Sequence, residues 1–428
     1  LATAKRSLID SAFAFSVSAA QDPSSPFLGL NRDDQAGVEL CGVRLSSAPV
    51  MASLAFGATA RSLDLDDWAV YGAAGASLWG ALLCLAHVDG ISDESRLLDA
   101  WCIGVRVGVA LWAEGRYRQG DRGFDGTDVF GSLACAAACA RLLKLDASQS
   151  SAAVAIAGSE MGGLVANLGT DVGVLHAGFA ARNGFQAALL ARAGIYGAAD
   201  VLEARQGFGE AIFGPADGPL FGLGDALESV TPLSDLVRLR RFPCAIEHQR
   251  VIETVQSLAA SRSLSSTEIS SIRVEGVPPT SEGTRSDVPT TSEEARGSLH
   301  YVLARLLMDG SITLADFTPA ALAGDGVAPA LARIEVDILQ RWDARLLQDN
   351  PAEASGVSIS TSTGDELSLD PMEAAPSLND SGLLSKWEAL TNEQGSQPSE
   401  WARRTLDAWR STKGGATEFS ILDAIGVS

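Results

Sequence analysis

The chain has 428 residues, 46% hydrophobic and 20% charged, which describes a globular protein too long for one ordinary core, so two domains are expected. Its formal net charge of −21 argues against nucleic acids and anionic membranes as partners, because both would repel it. The six scattered cysteines, Cys41, Cys84, Cys102, Cys135, Cys139 and Cys244, lack the density of a disulfide scaffold and point to a reducing, intracellular (cytoplasmic) compartment.

Residues 3–20 place Leu8, Ile9, Phe13 and Phe15 at helical spacing and read as a helix. Lys5, Arg6 and Asp10 in this stretch, with no clean cleavage pattern, argue against a secretory leader, and no uninterrupted apolar run reaches the ~18–20 residues that span a bilayer. The chain opens inside the helical pattern without a methionine, so upstream residues are expected. Residues 21–50 are loop-rich, with Pro23, Pro26 and Pro49. Helices follow over 51–62, 73–88 and 92–115, with the acidic turn Asp64, Asp66, Asp67 after the first. The segment 122–194 organises the rest. Runs of Ala, Gly, Ser and Cys flank the polar loop 167–174 and predict two or three closely packed helices buried on several faces. A further helix is read over 199–213. From Arg238 the texture changes: a helix after Phe242-Pro243, strands over 268–276, 334–338 and 357–362, and a helix over 294–309 between them. Helices return over 382–390 and 400–411. The reading is a mostly α protein: an all-helical domain over 1–236, an inserted α+β domain over 237–375, and a helical return over 376–428.

Each candidate site has a structural alternative. Asp64, Asp66 and Asp67 crowd one turn, where mutual repulsion would raise a carboxylate pKa for proton transfer or cation binding, or they simply cap a helix. His176 opens a small-residue helix as an acid/base group or a satisfied buried polar residue. Asp125 stands at the start of another such helix. Arg238, Arg240 and Arg241 precede Phe-Pro and would clamp a carboxylate or form salt bridges. Tyr301 would donate a proton to an oxyanion or enolate, or sit as a half-wet aromatic; its neighbour His300 points ~100° away on the helix. Cys135 and Cys139 have no second ligand pair, so no metal site is expected. The glycine strings over 158–164 and 207–224 do not follow a strand as a nucleotide loop would.

Several strings together are specific: ASLAFGATARSLDLDDW (52–68), RGFDGTDVFGSLACAAACARLLKLD (122–146), AIAGSEMGGL (155–164), LHAGFAARNGFQAALLARAG (175–194), RRFPC (240–244) and EEARGSLHYVLARLLMDGSITLADF (293–317). With them, nearly the whole chain resembles the MmgE/PrpD family, which includes 2-methylcitrate dehydratase, cis-aconitate decarboxylase and iminodisuccinate epimerase. The resemblance implies a helical domain with an α+β lid, a cleft for a small-molecule substrate, homodimers formed through the helical domain, and no metal or organic cofactor.

The departures concern the site. Trp68 stands where the family has threonine, and the segment through Tyr71 lacks the histidine-proline pair. Gly-Phe-His-Pro-Thr reads Gly123-Phe124-Asp125-Gly126-Thr127, the lysine before Leu-His is Gly173, and the lysine before Phe-Pro is Arg240. Asp64, His176 and Tyr301 survive. The resemblance thus implies Asp64, Asp125, His176 and Tyr301 as catalytic candidates, and Trp68, Tyr71, Gly173, Arg240 and Arg241 as substrate-binding ones. A pocket stripped of cations favours a less anionic, carbonyl-bearing substrate over a tricarboxylate. Three functions stay open: a lyase, isomerase or cyclase with changed chemistry in specialised biosynthesis; a dehydratase or decarboxylase of citrate-like acids; and an inactive binding homologue.

Overall fold

The computed structural model describes residues 1–22, 25–29, 37–45, 48–115, 118–214, 231–277, 287–338, 356–369, 378–392, 399–411, 422 and 425. The chain divides into two compact units, residues 1–239 with 378–428, and residues 240–377. The expected boundary at 375–376 lies outside the described residues.

The first unit is helical. Its main helices are α1 (Ala2–Gln21), α2 (Pro49–Arg61), α3 (Ala74–Asp89), α4 (Glu94–Gly115), α5 (Gly126–Leu143), α6 (Ala147–Glu160) and α7 (Asp171–Arg192), joined by the C-terminal helices Asp380–Asn392 and Glu400–Ser411. Local signals set their ends. Asp125 caps α5, accepting from the Thr127 N–H. Asp146 and Gln149 form a reciprocal capping box on α6, and Gly90, at φ 62°, ends α3. α5 lies at the centre, packed on α7, α4, α6 and α3. Small residues make this possible: a Cβ on Gly184 of α7 would lie 2.2 Å from Cys135 Cβ, and one on Gly57 would lie 2.8 Å from the Ala177 carbonyl. α5 is also the one helix among the described residues long and apolar enough to cross a bilayer, and 83% of it is buried, the position of a core helix. The helix expected over 199–213 is shorter. Only Phe208–Phe213 is helical, because the preceding residues turn back, with the Phe208 N–H donating to the Val201 carbonyl.

Strands β1 (Trp68–Ala69) and β2 (Val237–Arg238) pair antiparallel, with Trp68 opposite Arg238. The second unit holds the four-stranded sheet of β3 (Ile269–Val277), β4 (Ile334–Ile338), β5 (Gly356–Thr361) and β6 (Glu366–Leu369), in the order β4-β3-β5-β6. β4 runs parallel to β3 and the other pairs are antiparallel. Helices α8 (Ile246–Ser261) and α9 (Leu299–Asp309) cover it, burying Val251, Ile252, Val302 and Leu303 against Ile272, Val274 and Ile359. The helix expected over 294–309 is broken. Ser292–Arg296 ends at Gly297, and Ser298 caps α9 through the Tyr301 N–H.

Candidate active site

The opening of α5 and the first turns of α7 build one polar centre inside the first unit. Asp125 keeps extended backbone as the α5 cap, so its carboxylate faces back across the helix end. One oxygen accepts from the Thr127 N–H at 3.3 Å, and the other lies 2.7 Å from His176 Nδ1 on α7. The loop 161–167 is laced over the pair: the Asp125 N–H donates to the Gly163 carbonyl at 3.1 Å and the Val165 N–H to the Gly123 carbonyl at 2.9 Å. Gly163 has φ 79°, and a Cβ there would meet Asp128 Cβ at 2.9 Å and His176 Nδ1 at 3.5 Å. Only glycine lets the backbone lie this close.

Asp128, in the first turn of α5, is the third member. It is buried and accepts from Ser132 Oγ at 2.9 Å. Burial pushes its carboxyl up to about 6, opposed by Ser132 and His176 and assisted by Asp125. Asn183 Nδ2 donates to Ser132 Oγ at 3.2 Å and extends the network along α7. A histidine fixed by one carboxylate, beside a second whose pKa lies near neutrality, suits proton transfer at physiological pH. Gly173 lies three residues before His176, packed on the Asn167 carbonyl, where a Cβ would sit 2.6 Å away.

The acidic turn forms a separate cluster in the same unit. Asp64 is buried at φ 53° and ion-paired to Arg61, the last residue of α2. The Arg61 guanidinium also lies 3.9 Å from Asp66 and 5.2 Å over the Trp68 ring. The group perturbed most visibly is Asp67. Burial pushes it up to about 7, with Asp10 and Asp66 adding repulsion while Ser7 and the Gly75 N–H oppose it. Asp67 accepts from that N–H at 2.6 Å, so the capping alternative describes Asp67, which reaches from the preceding turn to the first turn of α3. Tyr71 is a core residue rather than an exposed wall. It is 3% exposed and packs where a Cβ on Gly108 would touch its ring at 2.4 Å.

The other candidates lie in the second unit. Arg240 is fully buried. Arg241 pairs with Glu253 at 3.1 Å, and its N–H donates to Gln249 Oε1 at 2.8 Å. The Tyr301 hydroxyl donates to the Asp316 carbonyl at 2.5 Å, its ring is buried beside Phe317, and burial pushes it up to about 12. His300 turns away and meets Asp287 at 3.2 Å. His248 was not among the sequence candidates. It is 1% exposed with both ring nitrogens lacking hydrogen-bond partners, and burial, with Arg240 and His300 nearby, lowers its pKa to about 3. Its only sequence signal is position on α8, where the apolar face includes it. Among the described residues no group of three or more His, Cys, Asp or Glu is placed to hold a metal ion. Cys135 and Cys139 are buried free thiols on α5.

The structure therefore brings Asp125 to His176 and adds Asp128. It joins Asp64 to Trp68 through Arg61, and it places Arg240, Arg241 and Tyr301 in the other unit.

Comparison with known proteins agrees along the chain. The family model for the MmgE/PrpD N-terminal domain matches residues 1–219, and that for the C-terminal domain matches residues 242–409. Human cis-aconitate decarboxylase is 32% identical over 222 residues, 50% of this chain and 45% of its own length. The Mus musculus protein of that name is 30% identical over 223 residues, 50% and 44% of the two chains. The cis-aconitate decarboxylase-like protein oryM of Aspergillus oryzae is 26% identical over 295 residues, 63% and 59%. The matched region thus spans about half the length of the mammalian relatives. With both domain models matched in order, the chain belongs to the MmgE/PrpD family.

Proposed function

We propose that the protein is a lyase, isomerase or cyclase of this family. It moves a proton on a carbonyl-bearing small molecule less anionic than a tricarboxylate, in specialised biosynthesis. The observation that carries the reading is the 2.7 Å contact between Asp125 and His176. Asp125 orients the imidazole and stabilises its protonated form, as a carboxylate does for a histidine base. His176 takes a proton from carbon next to the carbonyl, or returns one to a carbanion. Asp128, whose carboxyl burial raises to about 6, is the group proposed to supply the complementary proton. Tyr301, whose hydroxyl donates to the Asp316 carbonyl, stays a second candidate donor in this reading.

The carboxylate at position 125 also supports the choice of substrate. An anion held ~4 Å from an unneutralised carboxylate loses about 4 kcal/mol at an effective dielectric of 20, roughly a thousandfold in binding. A polycarboxylate brings several such contacts, whereas a ketone or monoacid brings at most one.

A second reading keeps the decarboxylation named for the human and mouse relatives. Loss of CO₂ leaves a carbanion that the same pair would protonate. Incubation with cis-aconitate, and with a panel of monoacid and neutral 1,3-dicarbonyls in D₂O, separates the two. Deuterium incorporation into the panel faster than the rate without enzyme, with no CO₂ from cis-aconitate, supports the first reading, and CO₂ release supports the second. Asp125→Asn keeps the helix cap and should lower either rate by about 10²–10⁴. Undiminished activity in Asp125→Asn and in His176→Gln would reject the assignment of this pair.

A further inference from the structure

A cavity of about 770 Å³ lies at the far end of α5, between α4, α5 and α6. The 18 residues of α5 separate it from Asp125 by roughly 27 Å at 1.5 Å per residue. Its volume is within the range of small-ligand sites, ~300–1,000 Å³. Its charge departs from the rest of the molecule: Arg96, Arg141 and Lys144 line it against only Asp93 and Asp99, a local excess of one positive charge in a chain of net −21.

The partners of these groups sharpen the point. Arg141 is matched by Asp99 at 2.7 Å, and Asp93 is turned to the α4 backbone, accepting from the Arg96 N–H at 3.2 Å. Arg96 is held against the wall by its bond to the Leu142 carbonyl, and its Nε is buried without a hydrogen-bond partner. Lys144 is the C-cap of α5 at φ 57°. Glycine is the residue favoured there, and Lys144 instead places a cation at the C-terminal end of the helix. The remaining wall is apolar, from Ile103, Ala137, Leu145 and Val154.

We propose that this cavity binds a small amphipathic anion, a monocarboxylate with a short alkyl chain. Its head lies between Lys144 and Arg96, and its chain lies along Ile103, Leu145 and Val154. The site is independent of the Asp125–His176 pair and of the function proposed for it.

Isothermal calorimetry of the intact protein with hexanoate, acetate and hexanol tests this. The expected result is saturable one-to-one binding of hexanoate, with acetate and hexanol each at least about tenfold weaker because each lacks one half of the recognition. Lys144→Gly should weaken hexanoate at least about fivefold while holding or raising Tm, since glycine relieves the positive φ. Asp125→Asn should leave the affinity unchanged. Absence of saturable binding, an unaltered affinity in Lys144→Gly, or loss of binding in Asp125→Asn would each overturn the proposal.

Discussion

Replacing Lys386 with methionine isolates the buried ion pair that ties the C-terminal return to the acidic turn. Lys386 Nζ donates to Asp10 Oδ1 and to the Leu65 carbonyl, both at 2.7 Å, and Trp387 Nε1 donates to the same Asp10 oxygen at 2.9 Å. Both charged groups are buried. Even with these partners, burial holds Asp10 up at about 6. At pH 7 its ionisation in the folded state is therefore favoured by only one unit, about 1.4 kcal/mol. Without Lys386, Asp10 escapes by taking a proton, so that 1.4 kcal/mol is the main electrostatic loss rather than the larger cost of a stranded charge. The Leu65 carbonyl loses its donor inside the core, which costs about 1–3 kcal/mol. Methionine preserves most of the packing. The expected loss is about 3 kcal/mol near pH 7, falling by about 1 kcal/mol near pH 5, where Asp10 is already protonated in the parent. Urea unfolding at the two pH values, followed by tryptophan emission, measures it. Trp387 stacks on Phe13 at 5.2 Å and reports on this joint. A loss under about 1 kcal/mol near neutrality, or one larger near pH 5, would refute the reasoning.

Three further outcomes follow from the packing and the titrating groups. Gly184→Ala, ordinarily a stabilising change by about 1 kcal/mol inside a helix, should instead destabilise by about 1–3 kcal/mol. The new Cβ would lie 2.2 Å from Cys135 Cβ and 2.6 Å from the Ala136 backbone nitrogen, and thermal unfolding gives the sign. The two units should respond oppositely to pH. Asp10, Asp67 and Asp128 are raised to about 6, 7 and 6 from 3.8, so the folded first unit binds protons that the unfolded chain releases, and its stability falls as pH rises from about 4 to 7. His248 is lowered from 6.5 to about 3, so its contribution is present above about pH 6.5 and is lost as pH falls. Hydrogen exchange corrected for intrinsic rates should show α3 losing and α8 gaining protection as pH rises from about 4.5 to 7. Iodoacetamide at about pH 8 should leave Cys41, Cys84, Cys135, Cys139 and Cys244 unmodified in the native protein, because burial keeps each thiol protonated. Rapid labelling of any of them would show the helical core to be open.

Local rules account for what was legible in the sequence. The main helices of the first unit end at caps and turns visible in the chain, such as Asp146 three residues before Gln149 and Gly90 after α3. Their small residues announce close packing without saying against what. β6 was missed because four residues alternating Glu and Ser with Leu carry almost no signal. The helix broken at Gly297 was read as continuous because the apolar spacing runs through the break. The site was legible as a set of residues and illegible as contacts. Asp125 and His176 were both candidates, yet they lie 51 residues apart, and no spacing rule joins a helix cap to the first turns of another helix. Asp128 looked like any first-turn acid. Tyr301 looked available because the carbonyl it serves belongs to Asp316, fifteen residues on.

The same blindness explains the acidic turn. Three aspartates in sequence suggest mutual repulsion, and four buried carboxylates, Asp10, Asp64, Asp66 and Asp67, do share this part of the unit with two buried cations, Arg61 and Lys386. Arg61 comes from the preceding helix and Lys386 from more than 300 residues away. Full ionisation would leave a deficit of two positive charges in the core, and the raised pKa of Asp67, about 7, relieves part of it near neutrality, with Asp10, about 6, following as the pH falls. Around Asp125 the arrangement differs, since a histidine rather than a fixed cation faces the carboxylate. An arginine or lysine can only donate, whereas the two ring nitrogens of an imidazole can serve as donor and acceptor. That contrast, within one unit and among chemically identical aspartates, supports the proposal of proton chemistry at Asp125 and His176, with Asp64 at the acidic turn the second candidate.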